Sequence, residues 1–143
     1  MAGMNCVGLR AIFGLALSLA VGPVAADVVA IVSPASAITS LSKTQVVDIF
    51  LGKTSRFPDG TQAVPIDQEE GSPVRDEFYA VYAGKSAAQM KSHWAKIVFT
   101  GRGQPPKTSS SSIKVKSIVA ANPRAIGYIE RSAVDSSVKV LLP

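Results

Sequence analysis

The chain has 143 residues, with 15 lysines and arginines against 10 aspartates and glutamates, one histidine and one cysteine. The basic excess is mild and scattered, with neither a dense basic run nor an aromatic platform, which argues against nucleic acid and for small anionic partners. One cysteine and one histidine make neither an internal disulfide nor a cysteine–histidine metal site, so packing must hold the fold and no cofactor is expected.

Residues 1–26 read as an export signal. Arg10 supplies the positive charge, Ala11 to Val21 (AIFGLALSLAV) the short apolar core, and Val24-Ala25-Ala26 the small residues for cleavage before Asp27. A membrane span needs about 20 apolar residues, more than this run offers. Cleavage removes Cys6 and leaves residues 27–143 as a single periplasmic or secreted domain. Its roughly 117 residues suffice for one modest core.

Val28 to Val32 is a run of β-branched and small apolar residues, which suits a strand covered on both faces. After the polar loop Ser33 to Ser40, Ser42 caps a helix over Ser42 to Leu51, with Val46, Val47, Ile49 and Phe50 as its apolar stripe and Gly52 as its stop. Pro58-Asp59-Gly60 is turn chemistry leading into a strand at Ala63 to Ile66 that stops at Asp67.

Gly71 then permits a tight turn, Ser72 is a good N-cap and Pro73 suits the first helical position. A helix entry at a strand's C-terminal end offers unpaired N–H groups and a partial positive charge to a phosphate, sulfate or carboxylate, although plain capping needs the same residues. The helix carries Val74, Phe78, Val81 and Tyr82 at core spacing and ends at Gly84. Ser86 with Gln89 forms a capping box for the next helix, whose stripe is Met90, Trp94, Ile97 and Val98, with His93 at the surface.

Thr100 to Lys107 is a Gly/Pro loop with two positive charges, and Ser109 to Ser112 reads as the entry to a helix bearing Ile113, Val115, Ile118 and Val119 and ending before Asn122-Pro123. Ala125 to Glu130 is a strand with Gly127 at a close approach, and Val138 to Leu142 a last strand. Alternating strands and helices predict an α/β domain with a mixed, mostly parallel sheet flanked by helices, and ligands at strand C-terminal ends. Gln68, Gly71, Ser72, Val74 and Arg75, with Ser33 and Arg102 from their loops, are the candidate ligand residues.

Asp48-Ile49-Phe50-Leu51-Gly52-Lys53, Phe57-Pro58-Asp59-Gly60, Gly71-Ser72-Pro73-Val74-Arg75 and Asn122-Pro123-Arg124-Ala125-Ile126-Gly127-Tyr128-Ile129 together resemble, in order and spacing, the phosphate-binding protein of bacterial ABC transporters. The resemblance implies a type 2 periplasmic-binding fold and reaches only the second of that family's two lobes. The family's phosphate loop reads R-x-x-G-S-G-T. Here Gln68 stands for the arginine, Pro73 for the second glycine and Val74 for the threonine, so only Gly71 and Ser72 match. Loss of a guanidinium fork, an N–H and a hydroxyl implies weak binding of phosphate or another small anion by this lobe alone.

The expected partner is a membrane transporter, a sensor or a second copy that closes the cleft. The alternative is an envelope interaction module that kept the fold and lost the ligand, docking through the sheet end or the Gly101 to Lys107 loop. An enzyme is not expected: Ser72 has no histidine within reach by spacing, and the acidic turn of Asp67, Glu69 and Glu70 suits solvation better than a catalytic pair.

Overall fold

The computed structural model describes Gly3 and residues 27–141; the rest of the proposed signal segment, and Leu142 with Pro143, lie outside the described residues. The elements in chain order are β1 (Val28–Val32), α1 (Lys43–Phe50), β2 (Val64–Gln68), α2 (Pro73–Phe78), α3 (Ala87–Phe99), β3 (Lys107–Ser109), α4 (Ser112–Ala121), β4 (Ala125–Glu130) and β5 (Lys139–Val140). The five strands form one sheet in the order β3-β2-β4-β1-β5. β2 runs parallel to β3 and β4, whereas β1 is antiparallel to β4 and to β5. Four strands therefore point one way and β1 alone the other, which is the mixed, mostly parallel sheet that the alternating pattern implies.

β1 shows why an unbroken apolar run means burial on both faces. Val28, Ala30 and Val32 face a core with Phe50, Phe78, Met90, Trp94 and Tyr128, while Val29 and Ile31 face a second core with Val115, Val119 and Ile129. α1, α2 and α3 thus cover one side of the sheet and α4 the other. Gly127 sits at the α4 contact: an added Cβ would meet Val115 Cγ1 at 2.7 Å and Val119 Cγ2 at 3.0 Å, so the bare backbone lets the helix approach.

The helix starts follow from capping. Ser42 with Gln45 and Ser86 with Gln89 form complete capping boxes, and Ser72 and Ser111 each accept an N–H three residues on.

Four details differ from the sequence expectations. β2 runs through Asp67 and Gln68, both buried, because parallel pairing to Thr108 and Ser109 of β3 carries the ladder past Ile66. Lys107–Ser109 is itself a short edge strand rather than loop and helix entry. α2 continues as a π-helical turn over Tyr79–Ala83; Tyr79, one turn after Arg75, is buried, and the wider winding beyond it leaves Val81 exposed. In α4 only Val115 and Val119 meet the sheet, so Ile113 and Ile118 face outward, and Val98 of α3 is exposed as well.

Candidate functional site

The corner where β2 passes into α2 collects most of the candidate residues. Gly71, at φ 90°, closes a turn in which the Ser72 N–H bonds Glu69 O at 3.1 Å; only glycine adopts that backbone cheaply. The Ser72 hydroxyl accepts the Arg75 N–H at 3.3 Å and donates to Gln68 Oε1 at 3.1 Å. Gln68 Nε2 donates to the Tyr128 carbonyl and to Ser112 Oγ, each at 3.2 Å. The amide that stands where the resemblance places an arginine is therefore spent on tying β2 to β4 and α4.

Asp67 is the centre of this corner. Its carboxylate, 2% exposed, accepts the Tyr79 hydroxyl at 2.7 Å, the Tyr128 hydroxyl, and the Gln68 N–H at 2.8 Å. Arg75, 9% exposed, places its Nε 3.6 Å from Asp67 Oδ1 and its guanidinium over the Tyr79 ring at 5.4 Å. That Nε–H is buried without a hydrogen-bond acceptor among the described residues. Burial first, and the Asp67 charge second, push the phenols of Tyr79 and Tyr128 far above their usual range, so both stay protonated donors.

Gln68, Gly71, Ser72 and Arg75 thus come together, but three of the expected residues take other roles. The Val74 side chain is buried in the core beside Phe78, leaving only its N–H to the helix entry. Ser33 lies at the opposite end of the sheet's strands, after β1, which is flanked by β4 and β5. Because β1 is antiparallel to β4 and pairs Val32 with Ile126, its C-terminal end reaches the level of Pro65, where β2 has barely begun. There the Ser33 hydroxyl accepts the Ala35 N–H at 3.2 Å and faces the Ala120 carbonyl. Arg102 likewise precedes β3 and lines a groove with Val64 and Pro65, at the strands' N-terminal ends. Convergence of Ser33 and Arg102 on the β2–α2 corner is thereby corrected.

His93 is half-buried rather than a surface residue, and its Nε2–H donates to the Leu51 carbonyl at 2.9 Å. Among the described residues there is no cluster of three or more histidine, cysteine, aspartate or glutamate side chains suited to a metal, and no helix long and apolar enough to cross a membrane. Sequence reasoning missed Asp67, Tyr79 and Tyr128 as partners. The available signal was an aspartate ending an apolar strand, with tyrosines on the neighbouring helix and strand.

No family model matches the sequence, and no curated protein does. Solved structures do match. A protein of Clostridium perfringens described as a phosphate ABC transporter substrate-binding protein, with bound phosphate, is 28% identical at a TM-score of 0.63; the match covers 80% of this chain and 44% of that one. An ABC-type phosphate transport receptor of Vibrio cholerae is 20% identical at a TM-score of 0.63, over 80% and 45% of the two chains. A Planctomyces limnophilus protein described as a possible phosphate binding protein is 15% identical at 0.60, over 80% and 40%. The chain spans less than half the length of each of these proteins. It resembles phosphate ABC transporter substrate-binding proteins over a single lobe and has the α/β fold of that lobe.

Proposed function

We propose that the protein is an exported, non-catalytic binding protein of the phosphate-transport type, whose β2–α2 corner takes phosphate or another small oxyanion weakly. The observation that carries this reading is Arg75. Its side chain is nine-tenths buried at the corner, yet its Nε–H has no acceptor and its pairing with Asp67 is loose at 3.6 Å. A buried cation so placed gains from an added anion, because desolvation costs are met only by close hydrogen-bonded partners. The Clostridium perfringens neighbour, solved with phosphate, supports the choice of phosphate as first ligand.

Binding is weak on this reading because Gln68 brings no charge, Pro73 brings no N–H, and Asp67 repels an anion. A partner then supplies the missing contacts: a second copy, a membrane transporter or a sensor. The test is an NMR titration of the 15N-labelled domain with phosphate, sulfate and acetate at constant ionic strength. Saturable shifts of the Ser72, Val74 and Arg75 amides with phosphate are expected, and their absence up to tens of millimolar refutes anion binding here.

A second reading is favoured by the way Asp67 already fills its corner with an internal carboxylate. On it the protein is an envelope interaction module that keeps the fold and holds no anion. It predicts silence in the same titration, together with a protein partner recovered by crosslinking in the native envelope.

A further inference from the structure

A second concave site lies at the other end of the parallel strands. Its cavity, about 570 Å³, is bounded by the end of α1, the start of β2, the face of α3 and the loop entering β3. This size is within the range of small-molecule sites. Its floor is apolar, from Ile49, Ala63, Trp94 and Ile97, and its rim carries Arg102 and Lys107 together with Lys53, which pairs with Asp48 at 3.9 Å. Among the described residues no carboxylate lines it. Arg102 and Lys107 make no ion pair among the described residues, and both are exposed.

Two features mark this groove as built. The Trp94 indole packs against Gly52, where a Cβ would meet Trp94 Cη2 at 2.9 Å, so glycine makes room for the ring. The Trp94 Nε1–H is buried without a hydrogen-bond acceptor among the described residues, an expensive state for a polar group. The loop is also held in place: Gly101 adopts φ 68°, and the Arg102 N–H bonds the Ile97 carbonyl at 3.0 Å.

We infer that this groove binds a small organic anion with an apolar body, an aryl or alkyl carboxylate or phosphate monoester, its body on Trp94 and Ile97 and its charge between Arg102 and Lys107. The combination of an apolar floor with unpaired cations on one rim selects against both neutral apolar compounds and inorganic anions. The site is independent of the β2–α2 corner, so the two readings stand or fall separately.

The chain has one tryptophan, so the single indole N–H resonance in an 15N–1H spectrum reports this site alone. The probes are 2-naphthoate, its neutral amide 2-naphthamide, and inorganic phosphate. Naphthoate is expected to move the Trp94 indole and Gly103 amide signals saturably, the amide to bind about tenfold more weakly or worse, and phosphate to leave both signals in place. Replacing both unpaired rim cations, Arg102→Gln with Lys107→Gln, is expected to weaken naphthoate about tenfold or more and the amide hardly at all, as loss of charge-assisted contacts requires. Both residues are exposed, so the variant folds, and the spectrum verifies it. No saturable movement with naphthoate, equal affinity for acid and amide, or an unchanged affinity in the double variant each overturns the inference.

Discussion

Asp67→Ala is expected to be among the most damaging single substitutions in the domain, and its cost can be worked from the corner it occupies. The change strands two buried phenol hydroxyls, leaves the Gln68 N–H only its 3.1 Å bond to the Tyr128 hydroxyl, and leaves the Arg75 guanidinium buried without a counter-charge. Removing one member of a buried ion pair costs about 3–5 kcal/mol, and each orphaned buried donor about 1–3 kcal/mol before relaxation or entering water offsets part of it. A loss of about 4 kcal/mol or more follows, a large share of the roughly 5–15 kcal/mol that holds a typical domain. Arg75→Met should cost clearly less, because Asp67 keeps three hydrogen-bond donors and methionine fills much of the space. Urea unfolding of residues 27–143 followed by Trp94 fluorescence gives both values. At a slope of about 1–3 kcal/mol per molar, the Asp67→Ala midpoint should fall by roughly 2 M or the protein should not fold. A cost below about 1 kcal/mol, or a larger cost for Arg75→Met, would refute the reasoning.

Gly127→Ala should destabilise by about 1–3 kcal/mol as the new methyl drives Val115 and Val119 off the sheet, lowering the melting temperature by several degrees. A rise would mean that α4 yields freely. All three tyrosines have phenols raised by burial, with Asp67 adding to the effect at Tyr79 and Tyr128. For Tyr79 and Tyr128 the stability from keeping them neutral is complete below the unfolded value near 10 and is lost as pH rises beyond it, so their phenolate absorbance at 295 nm should appear only together with unfolding, and in the folded state only the half-buried Tyr82 should titrate. Titration of more than one tyrosine near pH 10 in the folded state would contradict the buried placement of Tyr79 and Tyr128.

The parts of the fold legible in the sequence are those set by short-range chemistry. β1 and β4 have the expected ends because apolar runs bounded by polar residues leave one register for burial. The serine caps needed only the preference of a hydroxyl for a free N–H. What escaped depends on pairing across the chain. Lys107–Ser109 is polar and became a strand only because β2 offered an edge. Val81 left the core because a π-helical turn shifted the register after Tyr79, and no side-chain pattern announces such a turn. Ser33 and Arg102 were misplaced for one reason: the direction of β1 and the side from which β3 is entered are properties of topology. Asp67 looked like a loop aspartate because its three partners lie 1, 12 and 61 residues away.

The same aspartate sets how the corner could respond to an external anion. Arg75 has one charge to offer, and Asp67 holds it at 3.6 Å without a hydrogen bond. A phosphate approaching the guanidinium also approaches the carboxylate, so the proposed binding and the internal pairing compete. Asp67→Asn separates them, since the amide keeps an acceptor for the tyrosine hydroxyls and removes the negative charge. Two unit charges about 5 Å apart at an effective dielectric near 20 interact by about 3 kcal/mol, and relief of even half of this would tighten phosphate roughly tenfold. Calorimetric titration of the two proteins with phosphate at fixed ionic strength measures the difference. Tighter binding by Asp67→Asn would place the anion beside Arg75 and explain weak affinity as competition from within the chain. Unchanged or weaker binding would remove Arg75 from the ligand site and leave the corner as a structural tie between β2, α2 and β4.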